Sequence, residues 1–342
     1  MKVSIVIPTF NQGQYIEECL ESVYNQTYRD IEVIIQDSLS NDGTKEICSK
    51  YALMDPRFHY CREKDSGQSD AINRGLARSG GELWTWICSD DRYNNPKAVE
   101  RLVEAFKDAH TADAKAVGAF GRAYFMDECG KITEPYPQFE RDIEREDMQM
   151  HWPLSQPSSI LLKQRVLAID GVVKELQLGM DLDLFIKMLQ GGRRFAYIDH
   201  PVADVRLQPN SKSVKLHVAT AVTAMYIVQS HFGSIGNPSQ SSYARQLYYA
   251  FNNGNEEVEP PEAVRSEPED DRTARLEQIL MLRDMLERCE KLRLQRQERI
   301  EALTRVVTGV ADKLPLTSLR SLLERRGFFK HMEKVLTNIF NP

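Results

Sequence analysis

Short apolar runs alternate with amphipathic segments along residues 1–121. Apolar, β-branched runs of this length predict buried strands, and apolar positions three or four residues apart predict helices. This alternation is typical of a mainly parallel sheet covered by helices on both faces. The predicted strands are 3–7, 31–35, 58–61, 81–87 and 116–120, and the predicted helices are 15–23, 44–51, 70–79 and 96–109.

The pattern is less regular further along the chain. An irregular segment at 152–159 precedes a predicted strand at 160–162, a helix at 181–190 and a strand at 195–198 that leads to residues 205–208. Residues 1–251 are therefore predicted to form one α/β domain with two halves, 1–121 and 122–251.

The composition changes abruptly after this domain. Residues 252–272 are rich in Glu, Asp and Pro and have too few apolar positions to bury a core, so they predict a flexible linker. Residues 273–314 show heptad spacing, which predicts a coiled-coil helix and a homo-oligomer contact. Arg293 and Arg296 interrupt the seam. This favours a short coiled coil, a trimer with polar layers or a helical hairpin over an uninterrupted dimeric zipper.

The tail, residues 315–342, combines apolar positions with arginines and lysines. This pattern is typical of a helix that lies in an anionic membrane interface. A helix that packs on its own domain or on an oligomer partner has the same pattern, so both interpretations stay open.

Charge and composition narrow the function classes. The chain has 342 residues and a net charge of -6, which argues against general nucleic-acid binding. Its cysteines show no metal-binding spacing, and it has neither a secretory apolar region nor a membrane-spanning run. We therefore expect a cytoplasmic protein whose membrane contact, at the inner face of the cell membrane, is peripheral.

Polar residues follow several predicted strands at the point where each strand ends. The carboxyl ends of parallel strands meet at one edge of a sheet, where ligands bind in open α/β folds. An aromatic ring there can stack on a base, and carboxylates can bind ribose hydroxyls or a divalent cation that bridges phosphates. These residues are Thr9, Phe10 and Asn11 after the first strand, Asp37 after the second, and Asp90 and Asp91 after the fourth.

Together these side chains predict a nucleoside-diphosphate pocket. Asp90 and Asp91 are expected to point to opposite sides of an extended chain, so that they contact different parts of one ligand. The chain lacks the glycine-rich phosphate loops of dehydrogenases and P-loop enzymes, so a metal is expected to neutralise the phosphates. An acidic turn that only caps the next helix is the simpler alternative.

Ordered motifs in the chain resemble those of family 2 glycosyltransferases with the GT-A fold. The resemblance covers about the first two-thirds of the chain and says nothing about the rest. The motifs are residues 3–11 with 26–28, the turn 37–44, the segment 65–75, the acidic turn 89–91 and the segment 180–184.

The resemblance implies a role for each matching residue on the donor side. It assigns the base pocket to Thr9 and Phe10 with Asn11, the base (usually uracil) or its ribose to Asp37, and the nucleotide to Gly67 and Asp70. Asp90 would contact ribose or the donor sugar, and Asp91 would bind Mn²⁺ or Mg²⁺.

On the acceptor side, Asp181 matches the general base of inverting members of the family. The implied donor is a nucleotide sugar, most often a UDP-sugar, and the implied acceptor is a hydroxyl of a glycan or lipid-linked saccharide in bacterial polysaccharide synthesis. The implied domain halves are a nucleotide-binding half, 1–121, and an acceptor half, 122–251. Asp183 is the rival base, although residues two apart on a helix do not share a face.

The chain departs from the family at the metal site. Many relatives have a histidine two residues after the arginine equivalent to Arg206, whereas this chain has Gln208. A glutamine oxygen is still a hard ligand, so a weaker or less selective metal site is our hypothesis. The departure supports one alternative, a scaffold with a degenerate transferase domain. A second alternative is a metal-dependent nucleotidyltransferase, which would share an α/β nucleotide fold and paired aspartates.

Overall fold

The computed structural model describes residues 1–208, 211–212, 217–233 and 243. The predicted linker 252–272, heptad helix 273–314 and tail 315–342 lie outside these residues. Among the described residues, no helix is both long and apolar enough to cross a membrane.

One mixed sheet of ten strands forms the centre of the fold. Its order is β3-β2-β1-β4-β9-β6-β10-β5, with β7 paired to β6 and β8 paired to β10. The strands are β1 (Val3–Thr9), β2 (Ile31–Asp37), β3 (Phe58–Arg62), β4 (Leu83–Trp86), β5 (Arg92–Tyr93), β6 (Ala116–Met126), β7 (Ile132–Pro135), β8 (Ile143–Glu144), β9 (Ser159–Leu162) and β10 (Arg194–Arg206).

Helices cover both faces of the sheet, as predicted. Along β1, Val6 faces one apolar core, whereas Ile5 and Ile7 face a second core on the opposite side. Helices α3, α7 and α8 pack on the Val6 side, and α1, α2 and α4 pack on the other. The helices are α1 (Ile16–Tyr24), α2 (Thr44–Met54), α3 (Gln68–Arg78), α4 (Ala98–Ala112), α5 (Asp147–Met150), α6 (Lys163–Leu167), α7 (Met180–Met188) and α8 (His217–Phe232).

The second half of the sheet differs from the prediction in two respects. Strand β9 runs antiparallel between β4 and β6, so the sheet is mixed. Strand β10 continues for 13 residues, whereas only a short strand near 195–198 was expected. Register shifts on both sides of Pro201 let the strand pass this proline and remain paired with β6.

Candidate active site

The ends of β1 and β2 place Thr9 beside Asp37, which are partners in the parallel register. Asp37 is fully buried. Its Oδ1 accepts hydrogen bonds from the Ser40 N–H at 2.9 Å and the Ser40 hydroxyl at 2.5 Å, and its Oδ2 accepts one from the Tyr60 hydroxyl at 2.6 Å. Arg62 adds a guanidinium nitrogen 3.4 Å from Oδ2. Asp37 therefore fixes the loop after β2, and its role toward a base stays a prediction.

Asn11 connects this loop to the one after β1. Its N–H donates to the Ser40 hydroxyl at 2.8 Å, and its Oδ1 accepts from the Asn41 N–H at 3.0 Å. The left-handed backbone of Asn11, with φ of 52°, is a conformation that asparagine tolerates well. The turn leaves Phe10 59% exposed at the edge of the sheet, where its ring face is free to pack on a planar ligand.

Asp90 and Asp91 lie in a tight turn, which corrects the expectation that they point to opposite sides of an extended chain. The Asp91 N–H donates to the Cys88 carbonyl at 3.0 Å and closes the turn. One ligand atom from each of Cys88, Asp90 and Asp91 lies within 4.8 Å of the others. Because the turn folds the chain back, both carboxylates converge on one point.

The acidic turn carries concentrated negative charge in a largely buried position. Burial and then the charge of Asp90 raise the pKa of Asp91 well above its ordinary value. Burial also raises the pKa of Asp90, against a hydrogen bond of 3.2 Å from the Gln208 amide to its Oδ2. Because burial and mutual repulsion make ionisation of these two carboxylates costly, a bound divalent cation would stabilise their ionised forms.

The residues of this turn fit such a cation. Asp90 and Asp91 provide hard oxygen ligands of the kind that Mg²⁺ and Mn²⁺ prefer, and Gln208 places a side-chain amide beside them. Burial and the charges of Asp91 and Asp90 raise the pKa of the Cys88 thiol well above its ordinary value, and sulfur is a softer ligand than Mg²⁺ and Mn²⁺ prefer.

Gly67 and Asp70 shape the start of α3. Gly67 has φ of 125°, a conformation that favours glycine, whereas the nearest atom to a Cβ there, 2.5 Å away, is the end of the exposed Gln177 side chain, which can move. The Asp70 carboxylate accepts from the Ser66 N–H at 2.9 Å and lies 3.0 Å from the Lys174 amine and 3.1 Å from the Arg74 guanidinium. Burial opposes ionisation, but these hydrogen bonds lower the pKa of Asp70. Asp70 thus anchors the loop, and its contact with a nucleotide stays a prediction.

Two aspartates in the first turn of α7 have opposite environments. Asp183 is buried and lies 2.6 Å from the Lys187 amine and 2.7 Å from His231 Nε2, and these partners lower its pKa despite its burial. Burial raises the pKa of Asp181 to about 6, against hydrogen bonds from the N–H groups of Asp181 and Leu182. No cation of the described residues pairs with Asp181. Asp183 therefore connects α7 to α8, whereas the role of Asp181 as a general base stays a prediction.

Asp181 lies close enough to the acidic turn to influence its groups. The charge of Asp181 contributes to the raised pKa of Cys88, after burial and the charges of Asp91 and Asp90. Burial, then Asp181 and Asp91, raise the pKa of Tyr136, which follows β7. Tyr136 therefore lies within electrostatic range of both the predicted base and the predicted metal ligand.

Trp152 and Gln156 have structural contacts. Trp152 packs on the core, and the buried Gln156 amide donates to the Trp86 carbonyl at the end of β4.

Sequence reasoning missed Lys212. Its amine lies 3.2 Å from Gln68 Oε1, and the Gln68 amide lies 3.3 Å from the Cys88 sulfur. Lys212 thus adds a positive charge beside the acidic turn, and no periodic pattern in its segment signals this.

An α/β fold with an acidic turn at the carboxyl edge of its parallel strands defines a GT-A-type protein, and solved structures agree. The chain is similar to *S. aureus* TarS 1–349 in complex with UDP-GlcNAc, with a TM-score of 0.55 and 16% identity over 90% of each chain. It is also similar to mannosyltransferase PcManGT from *Pyrobaculum calidifontis* in complex with GDP-Man and Mn2+, with a TM-score of 0.53 and 15% identity over 92% of this chain and 88% of that one. These similarities confirm the fold.

Residues 4–151 match the model of glycosyl transferase family 2. The chain is 34% identical over 128 residues to glycosyltransferase GlyG of Streptococcus pneumoniae. The matched residues are 37% of this chain and 40% of GlyG. The chain is also 36% identical over 101 residues to the putative teichuronic acid biosynthesis glycosyltransferase TuaG of Bacillus subtilis. Here the matched residues are 29% of this chain and 40% of TuaG. The matched part thus spans less than half the length of either relative.

Proposed function

We propose that this protein is a metal-dependent, inverting glycosyltransferase that moves a sugar from a nucleotide sugar to an acceptor hydroxyl. The observation that carries the proposal is the contrast between Asp181 and Asp183. Asp181 has no cationic partner among the described residues and a pKa raised by burial to about 6, whereas Asp183 is tied to Lys187 and His231. A carboxylate with such a pKa is mostly ionised at neutral pH and remains basic enough to accept a proton.

On the donor side, the ends of the parallel strands would bind the nucleotide. Phe10 would stack on the base, and Asp37 would orient Ser40 and Tyr60 beside it or contact the base or ribose itself. Asp91 would hold Mn²⁺ or Mg²⁺ together with Gln208, and Asp90 would face the ribose or sugar. The cation, when bound, supplies positive charge to the departing diphosphate, so no acid is needed there.

On the acceptor side, Asp181 would orient the attacking hydroxyl and accept its proton. As the hydroxyl oxygen bonds to the anomeric carbon, the bond from that carbon to the phosphate oxygen breaks, and the nucleoside diphosphate departs. Attack from the face opposite the leaving group inverts the anomeric configuration. Tyr136, within electrostatic range of Asp181 and Asp91, would line the space between donor and acceptor.

A UDP-sugar is the proposed donor, and a glycan or lipid-linked saccharide is the proposed acceptor. Support for the donor comes from TarS, whose structure contains UDP-GlcNAc, although PcManGT contains GDP-Man. Support for the acceptor comes from relatives such as the Campylobacter jejuni GalNAc(5)-diNAcBac-PP-undecaprenol beta-1,3-glucosyltransferase. The chain is 33% identical to it over 92 residues, which are 26% of this chain and 30% of that protein. A lipid-linked acceptor would place the enzyme at the inner face of the cell membrane, where the tail 315–342 would bind anionic lipid.

The test is a thermal-shift screen of UDP-, GDP-, CDP- and TDP-sugars with and without Mn²⁺, followed by a transfer assay. We expect at least one donor to stabilise the protein only when Mn²⁺ is present, and the same donor to support transfer. If no donor stabilises the protein, the proposal is wrong. Stabilisation without transfer to any saccharide acceptor would favour the scaffold alternative, and release of pyrophosphate from a nucleoside triphosphate would favour a nucleotidyltransferase.

A further inference from the structure

Arg206 is a buried arginine directly behind the acidic turn. It is the last residue of β10 and is 3% exposed. Its Nε donates to the Asp90 carbonyl at 2.8 Å, and its backbone N–H donates to Asp91 Oδ1 at 2.9 Å. Both acidic residues of the turn are therefore held by this one residue.

The rest of the guanidinium is anchored to other parts of the fold. Nη1 donates to the carbonyls of Asp127 at 3.1 Å and Glu128 at 3.0 Å, in the turn between β6 and β7. Nη2 pairs with the Glu18 carboxylate of α1, and the Tyr15 ring lies 4.9 Å from the guanidinium carbon. Arg206 thus connects the acidic turn to a helix and to a second turn, and these anchors fix the direction of its Nε.

Arg92 provides a natural comparison because it occupies the same network. Its guanidinium pairs with Glu18, lies 2.8 Å from Asp204 and donates to the Gly130 carbonyl at 3.0 Å. Among the described residues, the Arg92 side chain makes no hydrogen bond to the turn 88–91. The two arginines therefore share an acidic partner and a neighbouring turn, but only Arg206 contacts the candidate metal ligands.

We propose that Arg206, anchored by Glu18, is a positioning residue that holds the Asp90–Asp91 turn in the shape required to bind a divalent cation with a nucleoside diphosphate. This proposal rests on the proposed function. Residues that orient metal ligands typically change metal affinity by about 10- to 100-fold when they are replaced. A lysine at this position keeps the positive charge but loses the planar set of donors that reaches four partners at once.

The experiment compares Arg206→Lys with the matched variant Arg92→Lys. Binding of Mn²⁺ in the presence of UDP, and separately of GDP, is measured by electron paramagnetic resonance of the free ion, and thermal unfolding is measured without ligand. We expect Arg206→Lys to weaken Mn²⁺ binding about 10- to 100-fold. We expect both variants to lower the unfolding temperature by similar amounts. Arg92→Lys should leave Mn²⁺ binding near the wild-type value.

Glu18→Gln is a second variant that keeps Arg206 and removes the carboxylate charge that Arg206 shares with Arg92. We expect it to weaken Mn²⁺ binding less than Arg206→Lys does, and it decides the question if Arg206→Lys does not fold. Wild-type Mn²⁺ affinity in Arg206→Lys or, failing that variant, in Glu18→Gln would overturn the proposal, as would an equal loss in Arg92→Lys. If the wild-type protein binds no Mn²⁺ with either nucleotide, the proposed function itself fails, and this outcome is distinct from the others.

Discussion

Replacement of Asp181 by asparagine should make the protein inactive and more stable at the same time. Burial raises the pKa of Asp181 to about 6 from an ordinary value of 3.8, so its ionised form is costly in the folded protein. The folded state avoids this cost below the unfolded pKa and bears it fully above the folded pKa. The amide removes the cost at neutral pH but removes nothing at pH 3.8 or below, where Asp181 is already protonated.

The size of both effects follows from this shift. A difference of about 2 pKa units corresponds to about 3 kcal/mol, an upper limit because the side chain is only half-buried and the site can relax. We therefore expect Asp181→Asn to increase the free energy of unfolding by about 1–3 kcal/mol at pH 7. Loss of a general base lowers turnover by about 10²- to 10⁴-fold.

The assay combines denaturant unfolding at pH 4 and pH 7 with transfer rates over pH 5 to 8. For the wild type, a base with pKa near 6 is about one-tenth ionised at pH 5 and about nine-tenths ionised at pH 7, so kcat/KM should rise about tenfold. Donor binding by Asp181→Asn should stay near the wild-type value, because the predicted donor contacts lie at the strand ends and at the start of α3, not on α7.

Asp183→Asn is the matched control on the same helix. The Asp183 carboxylate is stabilised by Lys187 and His231, so its lowered pKa contributes stability above its unfolded pKa, and this contribution is lost as the pH falls. We expect Asp183→Asn to lower stability at pH 7 by about 1–3 kcal/mol, the opposite sign to Asp181→Asn. If Asp181→Asn is destabilised at pH 7 or retains near wild-type turnover, the assignment of the two aspartates is wrong.

Three further substitutions test separate parts of the site and fold. Phe10→Ala should leave stability nearly unchanged because the ring is 59% exposed, but should weaken nucleotide binding measured by calorimetry by about 1–3 kcal/mol; unchanged binding would exclude base stacking. Gln208→His should tighten Mn²⁺ binding with UDP, and an unchanged affinity would contradict a metal site weakened by glutamine. Gly75→Ala should cost about 1–3 kcal/mol in chemical unfolding because its Cβ would lie 2.3 Å from Val6 Cγ1; the double variant with Val6→Ala should recover part of this loss.

The ends of the parallel strands were predictable because local pattern determines them. Each buried strand has its own apolar run, and the order of strands and helices implies that parallel ends meet at one edge. Asp37 and Asp91 therefore lie at the predicted edge of the sheet. The direction of side chains within the acidic turn was not predictable. It depends on hydrogen bonds such as the one from the Asp91 N–H to the Cys88 carbonyl and the one from the Arg206 N–H to Asp91 Oδ1, and apolar periodicity carries no information about such bonds.

The distinction between Asp181 and Asp183 also required the structure. Helical geometry shows that they lie on different faces, but not which face meets the cleft. The partner that decides this, His231, is 48 positions away on α8, and its contact with Asp183 exists only because α8 packs on α7. A single sequence contains no local signal for a pairing of this range.

The path of β10 is the prediction whose correction matters most for the site. The sequence predicted only a short strand at 195–198 that leads to residues 205–208. In the structure, β10 passes Pro201 through register shifts and ends at Arg206. This extension brings Arg206 to the acidic turn and to Glu18, which is 188 positions earlier in the chain. Had the strand ended at residue 198, its hydrogen-bonded register would not place Arg206 or Gln208 at the sheet edge. The positions of Arg206 and Gln208 beside the proposed metal site therefore depend on the pairing of β10 with β6.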